Sequence, residues 1–117
     1  NMDSGMFYGI QKGAIAALNV SKQWFDNLNA VYEKRRLLVW KLASQLGCTY
    51  DKNSSGMFVW AKLPNSYNSE QFIDDLLDQK HIFIAPGTIF GSNGAGFVRF
   101  SLCADENAIK EAIKRTA

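Results

Sequence analysis

The chain has 117 residues, of which 47% are hydrophobic and 21% are charged, so its composition indicates one folded domain and excludes a disordered or fibrous protein. Thirteen basic and eleven acidic side chains leave a net charge of +2, which is too small to indicate a nucleic acid or an acidic membrane as partner. Mean hydropathy is −0.15 and the apolar runs are short, so the sequence predicts neither a transmembrane helix nor a signal peptide.

Two helices are predicted in the first part of the chain. Apolar residues recur at helical spacing over residues 6–18, and again over residues 22–46, where Gly47 provides a left-handed stop. A helix of about 25 residues is long for so small a chain. The chain also opens at Asn1 without an initiator methionine. We therefore expect it to be a piece of a longer protein.

After Gly47 the hydrophobic pattern changes to alternation, which predicts strands at residues 48–51, 57–63, 81–85 and 97–103. Asn68 is expected to cap a helix that follows it, with Gln71 as the reciprocal capping-box partner. A last helix is predicted to start at Ala104 or Asp105. The order α-α-β-β-α-β-β-α predicts an α+β fold of two layers, in which a small and mostly antiparallel sheet packs against helices.

Residues suited to catalysis or metal binding are scarce. His81 is the only histidine, and we interpret it as structural or facing solvent. Cys48 and Cys103 are too far apart in sequence for a metal motif, so both are predicted to be buried apolar side chains, although a disulfide between them stays open. The sequence therefore predicts no catalytic residue and no metal site in this chain.

Residues 86–96 form a glycine-rich segment between two predicted strands. The pattern is typical of a flexible, hairpin-like connection, and it also suits a backbone that closely approaches a ligand or another domain. A phosphate cradle is the third interpretation, but no helix follows the segment as a nucleotide motif requires.

Arg99 stands in the middle of an aromatic strand, where an unpaired charge is costly. Strand alternation places it on one face with Phe97 and Ser101. Its planar guanidinium suits bidentate binding of a carboxylate. Two interpretations remain open: pairing with an acid of the same domain or with solvent, and binding of a carboxylate ligand.

Three segments together resemble the C-terminal part of the class I and II aminotransferases, which are fold-type I enzymes dependent on pyridoxal 5'-phosphate. The last segment, PGxxFG followed by GxVRFS, is the most specific. The three segments are residues 1–7 leading to Ile10-Gln11, residues 56–60 leading to Leu63-Pro64, and residues 86–101.

The resemblance implies that Arg99 binds the α-carboxylate of an amino-acid or 2-oxo-acid substrate. Phe90, Gly91 and Asn93 would be weaker neighbours of that site. Residues 1–19 would be a helix of the connection to the cofactor-binding large domain, and residues 20–117 the C-terminal small domain. An aspartate-type specificity is the first expectation.

The resemblance also implies what this chain lacks. None of its lysines stands in the sequence setting of the lysine that holds the cofactor, so pyridoxal 5'-phosphate would be bound by the absent large domain, and the fragment would be inactive alone. The full enzyme would be a cytoplasmic homodimer. Without its N-terminal segment, the isolated chain is expected to expose apolar surface and self-associate.

Two alternatives to this family remain. The chain could be a stand-alone binding or interaction module in which Arg99 recognises an acidic ligand. It could also be a phosphate-binding domain that uses Gly94 and Gly96.

Overall fold

Helices and short strands alternate along the described residues, which are 5–64 and 67–117 of this computed structural model. Residues 1–4 of the first resembling segment, and residues 65–66 of the predicted loop, lie outside them. The predicted α+β class and element order are confirmed. The elements are α1 (Tyr8–Leu18), α2 (Lys22–Gln45), β1 (Thr49–Tyr50), β2 (Phe58–Lys62), α3 (Ser69–Lys80), β3 (Ala85–Pro86), β4 (Phe97–Ser101) and α4 (Glu106–Arg115).

The described residues divide into two compact units, those within 1–31 and those within 32–117. In the described part of the first unit, α1 has no buried residue, and large apolar side chains such as Phe7, Leu18 and Trp24 are exposed. Exposed apolar area of this kind favours association, so self-association of the isolated chain stays a prediction. The domain boundary expected after residue 19 also stays a prediction.

The core of the second unit lies between one face of the sheet and the helices. The sheet has the strand order β1-β2-β4-β3, and every pair of neighbours is antiparallel. Among the described residues, no helix combines the length and apolarity needed to cross a membrane. The most deeply buried side chains come from α2, the central strands, α3 and the segment after β4, namely Val39, Ala43, Val59, Ala61, Ser69, Ile73, Val98 and Leu102.

Strand alternation separates the two faces of the sheet. Val98 and Phe100 of β4 are buried in the core, whereas Arg99 between them points to the opposite face. Trp60 of β2 is the direct cross-strand partner of Arg99, and Ala85 of β3 is its partner on the other side. The face away from the core therefore carries an arginine at the centre of the sheet.

The strand predicted at residues 81–85 is wrong for its first four residues. His81 takes a left-handed conformation with φ of 54° and ends α3, and only Ala85–Pro86 pairs with β4. A cavity lined by Ile82, Ile84 and Phe100 lies where a longer ladder would form. Ile82 and Ile84 are buried, so the apolar alternation that predicted a strand serves core packing without backbone pairing.

The helix caps predicted from the sequence are confirmed in part. The Asn68 side chain accepts hydrogen bonds from the backbone N–H groups of Glu70 and Gln71, at 2.9 and 3.1 Å, as predicted. The reciprocal partner is wrong, because the Gln71 amide instead donates to Asp75 Oδ1 at 2.9 Å. Asp105 caps α4 through the N–H groups of Ala108 and Asn107, and these bonds lower the pKa of its carboxyl.

Candidate functional site

Arg99 is the centre of the candidate site. Its guanidinium carbon lies over the Phe90 ring, 4.0 Å from the centroid, and over the Phe58 ring, 4.1 Å from the centroid. Aromatic faces carry partial negative charge and attract a cation at this distance. Phe58 comes from β2 and Phe90 from the glycine-rich segment, so two separate elements hold the same group. We call this pair of rings around Arg99 the aromatic clamp.

The charge of Arg99 has no carboxylate partner within residues 5–64 and 67–117. Its Nε atom is buried and makes no hydrogen bond there. A buried donor without a partner is costly, and it is satisfied when a ligand supplies an acceptor. The interpretation in which an acid of the same domain pairs with Arg99 is therefore not realised among these residues. The geometry leaves the guanidinium available to an anionic ligand.

A second aromatic group lies beside the clamp. The Trp60 ring stacks on Phe97 with a centroid distance of 5.5 Å, and it meets Phe90 edge-on at 5.9 Å. Sequence reasoning did not single out Trp60. The alternation of β2 carried the signal, because Val59 and Ala61 are buried and Trp60 must share the opposite face.

The glycine-rich segment is folded on itself. It forms two short 3-10 turns, Gly87–Phe90 and Ser92–Gly94. Gly87 and Gly94 meet backbone to backbone, and a Cβ on Gly87 would lie 2.2 Å from the Gly94 carbonyl oxygen. The hairpin-like connection is confirmed, because the segment joins the antiparallel neighbours β3 and β4. The close backbone approach also fits, and it is made within the segment itself.

Two hydrogen bonds tie this segment to the start of α3. The Thr88 hydroxyl donates to Glu70 Oε1 at 2.5 Å, and this bond lowers the pKa of the Glu70 carboxyl. The Gly96 N–H donates to the buried Ser69 Oγ at 2.9 Å. The segment that carries Phe90 is therefore fixed at both ends.

Four backbone N–H groups of the glycine-rich segment already donate hydrogen bonds within the protein. The N–H groups of Gly91, Gly94 and Ala95 donate to carbonyl oxygens within the segment, and that of Gly96 donates to Ser69. The N–H groups of Gly94 and Gly96, the two glycines of that interpretation, are therefore not free to bind an anion. The geometry disfavours the phosphate interpretation.

The predicted neighbours of Arg99 differ in their contacts. Phe90 touches the guanidinium, as described. Gly91 follows the first 3-10 turn with φ of 122°, and Asn93 lies exposed in the second turn. In the described part of the chain, neither forms a hydrogen bond with the Arg99 side chain, so their proximity to a substrate stays a prediction.

The cysteines are free thiols, and they lie in different surroundings. Cys48 is buried, and its burial raises the pKa of the thiol to about 11. Cys103 is exposed, which corrects the prediction that both are buried, because β4 ends at Ser101 and the chain leaves the sheet there. No group of three metal-ligating side chains occurs among the described residues.

The lysines do not form a cofactor site. All nine are exposed, and none lines the cavity next to Phe100. A lysine that holds pyridoxal 5'-phosphate has to face an enclosed site, since the chemistry depends on orientation and on exclusion of water. The residues of this chain do not fit the cofactor by themselves.

Comparison with known proteins identifies what the chain is similar to. The family model for aminotransferase class I and II matches residues 8–115. An LL-diaminopimelate aminotransferase of Maridesulfovibrio salexigens is 33% identical over 115 residues, which are 98% of this chain and 30% of that protein.

Solved structures give the same result. The apo structure of BacF from Bacillus subtilis is 35% identical, with a TM-score of 0.77 over 95% of this chain and 29% of that one. A probable N-succinyldiaminopimelate aminotransferase from Thermus thermophilus has a TM-score of 0.81 and 27% identity, and the match covers 98% of this chain and 31% of that one.

Two points follow from the comparisons. The chain spans about 30% of the length of the curated relatives it matches, a share that by itself does not say which end of those proteins it corresponds to. The expected aspartate-type specificity is wrong for these relatives, which are named LL-diaminopimelate aminotransferases.

Proposed function

Because the chain belongs to the family of class I and II aminotransferases, we propose that it is the substrate-carboxylate-binding small domain of a longer enzyme. That enzyme transfers an amino group between an α-amino acid and a 2-oxo acid, and Arg99 binds the α-carboxylate of both. The observation that carries the proposal is the Arg99 guanidinium, which has no carboxylate partner among the described residues and a buried, unsatisfied Nε atom.

A carboxylate on Arg99 would be held by two parallel N–H···O bonds. Such a grip fixes the rotation of the substrate as well as its position, which matters because only one orientation of the bonds at its α-carbon is productive. Lysine provides the same charge at a single point and cannot fix the orientation. The role therefore depends on the fork of Arg99 and not on its charge alone.

The cofactor of the longer enzyme is proposed to be pyridoxal 5'-phosphate, which supplies the electron sink for bond breaking at the substrate α-carbon. Residues outside this chain would bind it, so the isolated chain is expected to be inactive. A cytoplasmic homodimer is part of the same proposal, as in the resemblance that the sequence carries.

The position of the chain in the longer enzyme is also a proposal. Residues 1–19 would connect to the large domain and residues 20–117 would form the C-terminal small domain. The relatives are about three times as long as this chain, since it spans 30% of them. Sequencing the flanking coding region tests the placement: the additional residues should lie upstream of Asn1. A long extension downstream of Ala117 would overturn it, and a start codon at or immediately before Asn1 would favour the stand-alone module.

LL-diaminopimelate is the first substrate to assay, because it is named for the relatives at 33–36% identity. The assay should include other α-amino acids, since a structural neighbour at 27% identity is named as an aromatic aminotransferase. Amino-group transfer from any α-amino acid supports the proposed reaction. Failure with every amino donor, in full-length protein saturated with cofactor, would contradict it.

The role of Arg99 is tested in the full-length enzyme with its cofactor. We define the carboxylate preference as kcat/KM for an amino acid divided by kcat/KM for the amine that lacks only its α-carboxylate. Arg99→Lys is expected to lower this preference about ten- to hundredfold, as befits loss of charge-assisted hydrogen bonds. Arg115→Lys, on the exposed end of α4, is the matched control and should leave it unchanged. An unchanged preference in Arg99→Lys would refute the role.

A further inference from the structure

The Arg99 side chain is long and carries no ion pair among the described residues. An unrestrained arginine loses considerable rotamer freedom when it binds a ligand, and this loss weakens binding. In many sites a neighbouring carboxylate or carbonyl orients the guanidinium. Here the guanidinium carbon lies between the rings of Phe58 and Phe90, close to the centroid of each.

We propose that Phe58 and Phe90 are positioning residues, whose rings hold the Arg99 guanidinium in its carboxylate-binding orientation through cation–π contact. This inference rests on the proposed function, because it assigns a role to residues that act through Arg99. Neither ring can donate a hydrogen bond to a carboxylate, so neither competes with Arg99 for the substrate. A neighbouring acid in their place would neutralise the charge that the substrate needs.

The position of each ring has its own cause. Phe58 lies on β2 opposite Ser101, so Arg99 is its diagonal neighbour on the same sheet face, within reach of an aromatic side chain. Phe90 ends the 3-10 turn that Gly87 begins, and Trp60 meets its ring edge-on. One ring thus belongs to the sheet and the other to the glycine-rich segment. Both rings contact the Arg99 guanidinium.

A merely apolar cover over the sheet would have a different signature. Its effect would depend on side-chain volume, whereas cation–π attraction depends on the electron density of the ring. Phe90→Leu keeps an apolar side chain and removes the ring, and Phe90→Tyr keeps the ring. Phe58→Leu and Phe58→Tyr form the same pair on the sheet side. Incorporation of phenylalanines with increasing fluorination at position 90 lowers the electron density with little change of shape.

The experiment measures the carboxylate preference of these variants in the full-length enzyme with its cofactor, together with the Kd of an unreactive carboxylate analogue by calorimetry. Phe90→Leu and Phe58→Leu should each lower the carboxylate preference about three- to thirtyfold and raise the Kd of the analogue by a similar factor. The Tyr variants should keep the carboxylate preference and the Kd of the parent enzyme. Increasing fluorination should lower the carboxylate preference and raise the Kd of the analogue in steps. Phe83→Leu, at an exposed phenylalanine outside the clamp, is the control and should change neither.

The outcomes separate the two proposals. If Arg99→Lys abolishes the carboxylate preference but the Leu variants and the fluorinated series keep it, the positioning role is wrong and the proposed function stands. If Arg99→Lys itself leaves the preference unchanged, the carboxylate role fails. The cation–π role would be overturned if the Tyr variants lost as much carboxylate preference as the Leu variants, or if the fluorinated series showed no trend. Either result would show that the rings act only by their volume.

Discussion

Gly87 and Gly94 meet so closely that a Cβ on Gly94 would lie 2.0 Å from the carbonyl oxygen of Gly87. Both glycines are buried, and their contact closes the glycine-rich segment into a compact loop. Phe90 lies between them in sequence, at the end of the first 3-10 turn. Closure of the loop therefore decides where the Phe90 ring is placed, and that ring touches Arg99.

Gly94→Ala should destabilise the chain, because neither backbone can yield without opening the loop. We expect the free energy of unfolding to fall by about 1–3 kcal/mol, the usual cost of overpacking. Chemical denaturation followed by circular dichroism measures it. Gly13→Ala is the matched control: its Cβ would meet nothing within 4 Å on α1, so helix propensity should keep or raise the stability. Equal stabilities for Gly94→Ala and the parent would contradict the close approach.

The sheet face that carries Arg99 could be predicted from sequence, and the clamp could not. Alternation over Val98, Arg99 and Phe100 fixes which side chain leaves the core, because the period of a strand is two residues. The contact with Phe90 depends on how the intervening loop closes. A run rich in glycine permits many backbone paths, and the path taken here depends on the meeting of Gly87 with Gly94 and on the hydrogen bonds to α3.

The third strand illustrates a second limit. Buried Ile82 and Ile84 alternate as strand residues do, but pairing also needs a neighbour in register. The left-handed turn at His81 redirects the chain after α3, so that only Ala85 and Pro86 reach β4. A pattern of burial indicates which side chains enter the core, and it does not show which backbone groups find partners.

The two thiols should differ sharply in reactivity. Cys103 is exposed, whereas Cys48 is buried and its pKa is raised to about 11, so little of it is the reactive thiolate at neutral pH. A maleimide or aromatic disulfide reagent at pH 8 should label one thiol quickly in the folded chain and the second only after denaturation. Cys103→Ser should remove the fast phase, and Cys48→Ser should keep it. A fast phase that persists in Cys103→Ser would contradict the assigned burial.

The bond between Thr88 and Glu70 predicts a pH dependence. The Thr88 hydroxyl donates to the carboxylate and so favours the charged form, which lowers the pKa of Glu70 in the folded chain. A carboxyl whose pKa is lowered by folding stabilises the fold above its unfolded pKa, and this contribution is lost as the pH falls through the folded pKa. The bond should therefore stabilise the fold at neutral pH, and this stabilisation should be lost in acid.

Thr88→Val removes the donor and keeps the shape of the side chain. The pKa of Glu70, followed by carbon NMR of its carboxyl, should rise toward the ordinary glutamate value. The variant should be less stable than the parent at pH 7, and the difference should shrink as the pH is lowered below the folded pKa of Glu70. Thr49→Val, at an exposed position of β1, is the control and should leave the Glu70 titration unchanged. If Thr88→Val leaves the pKa of Glu70 unchanged, the Thr88 hydroxyl does not bond to the carboxylate. The glycine-rich segment must then be fixed to α3 through Ser69 alone.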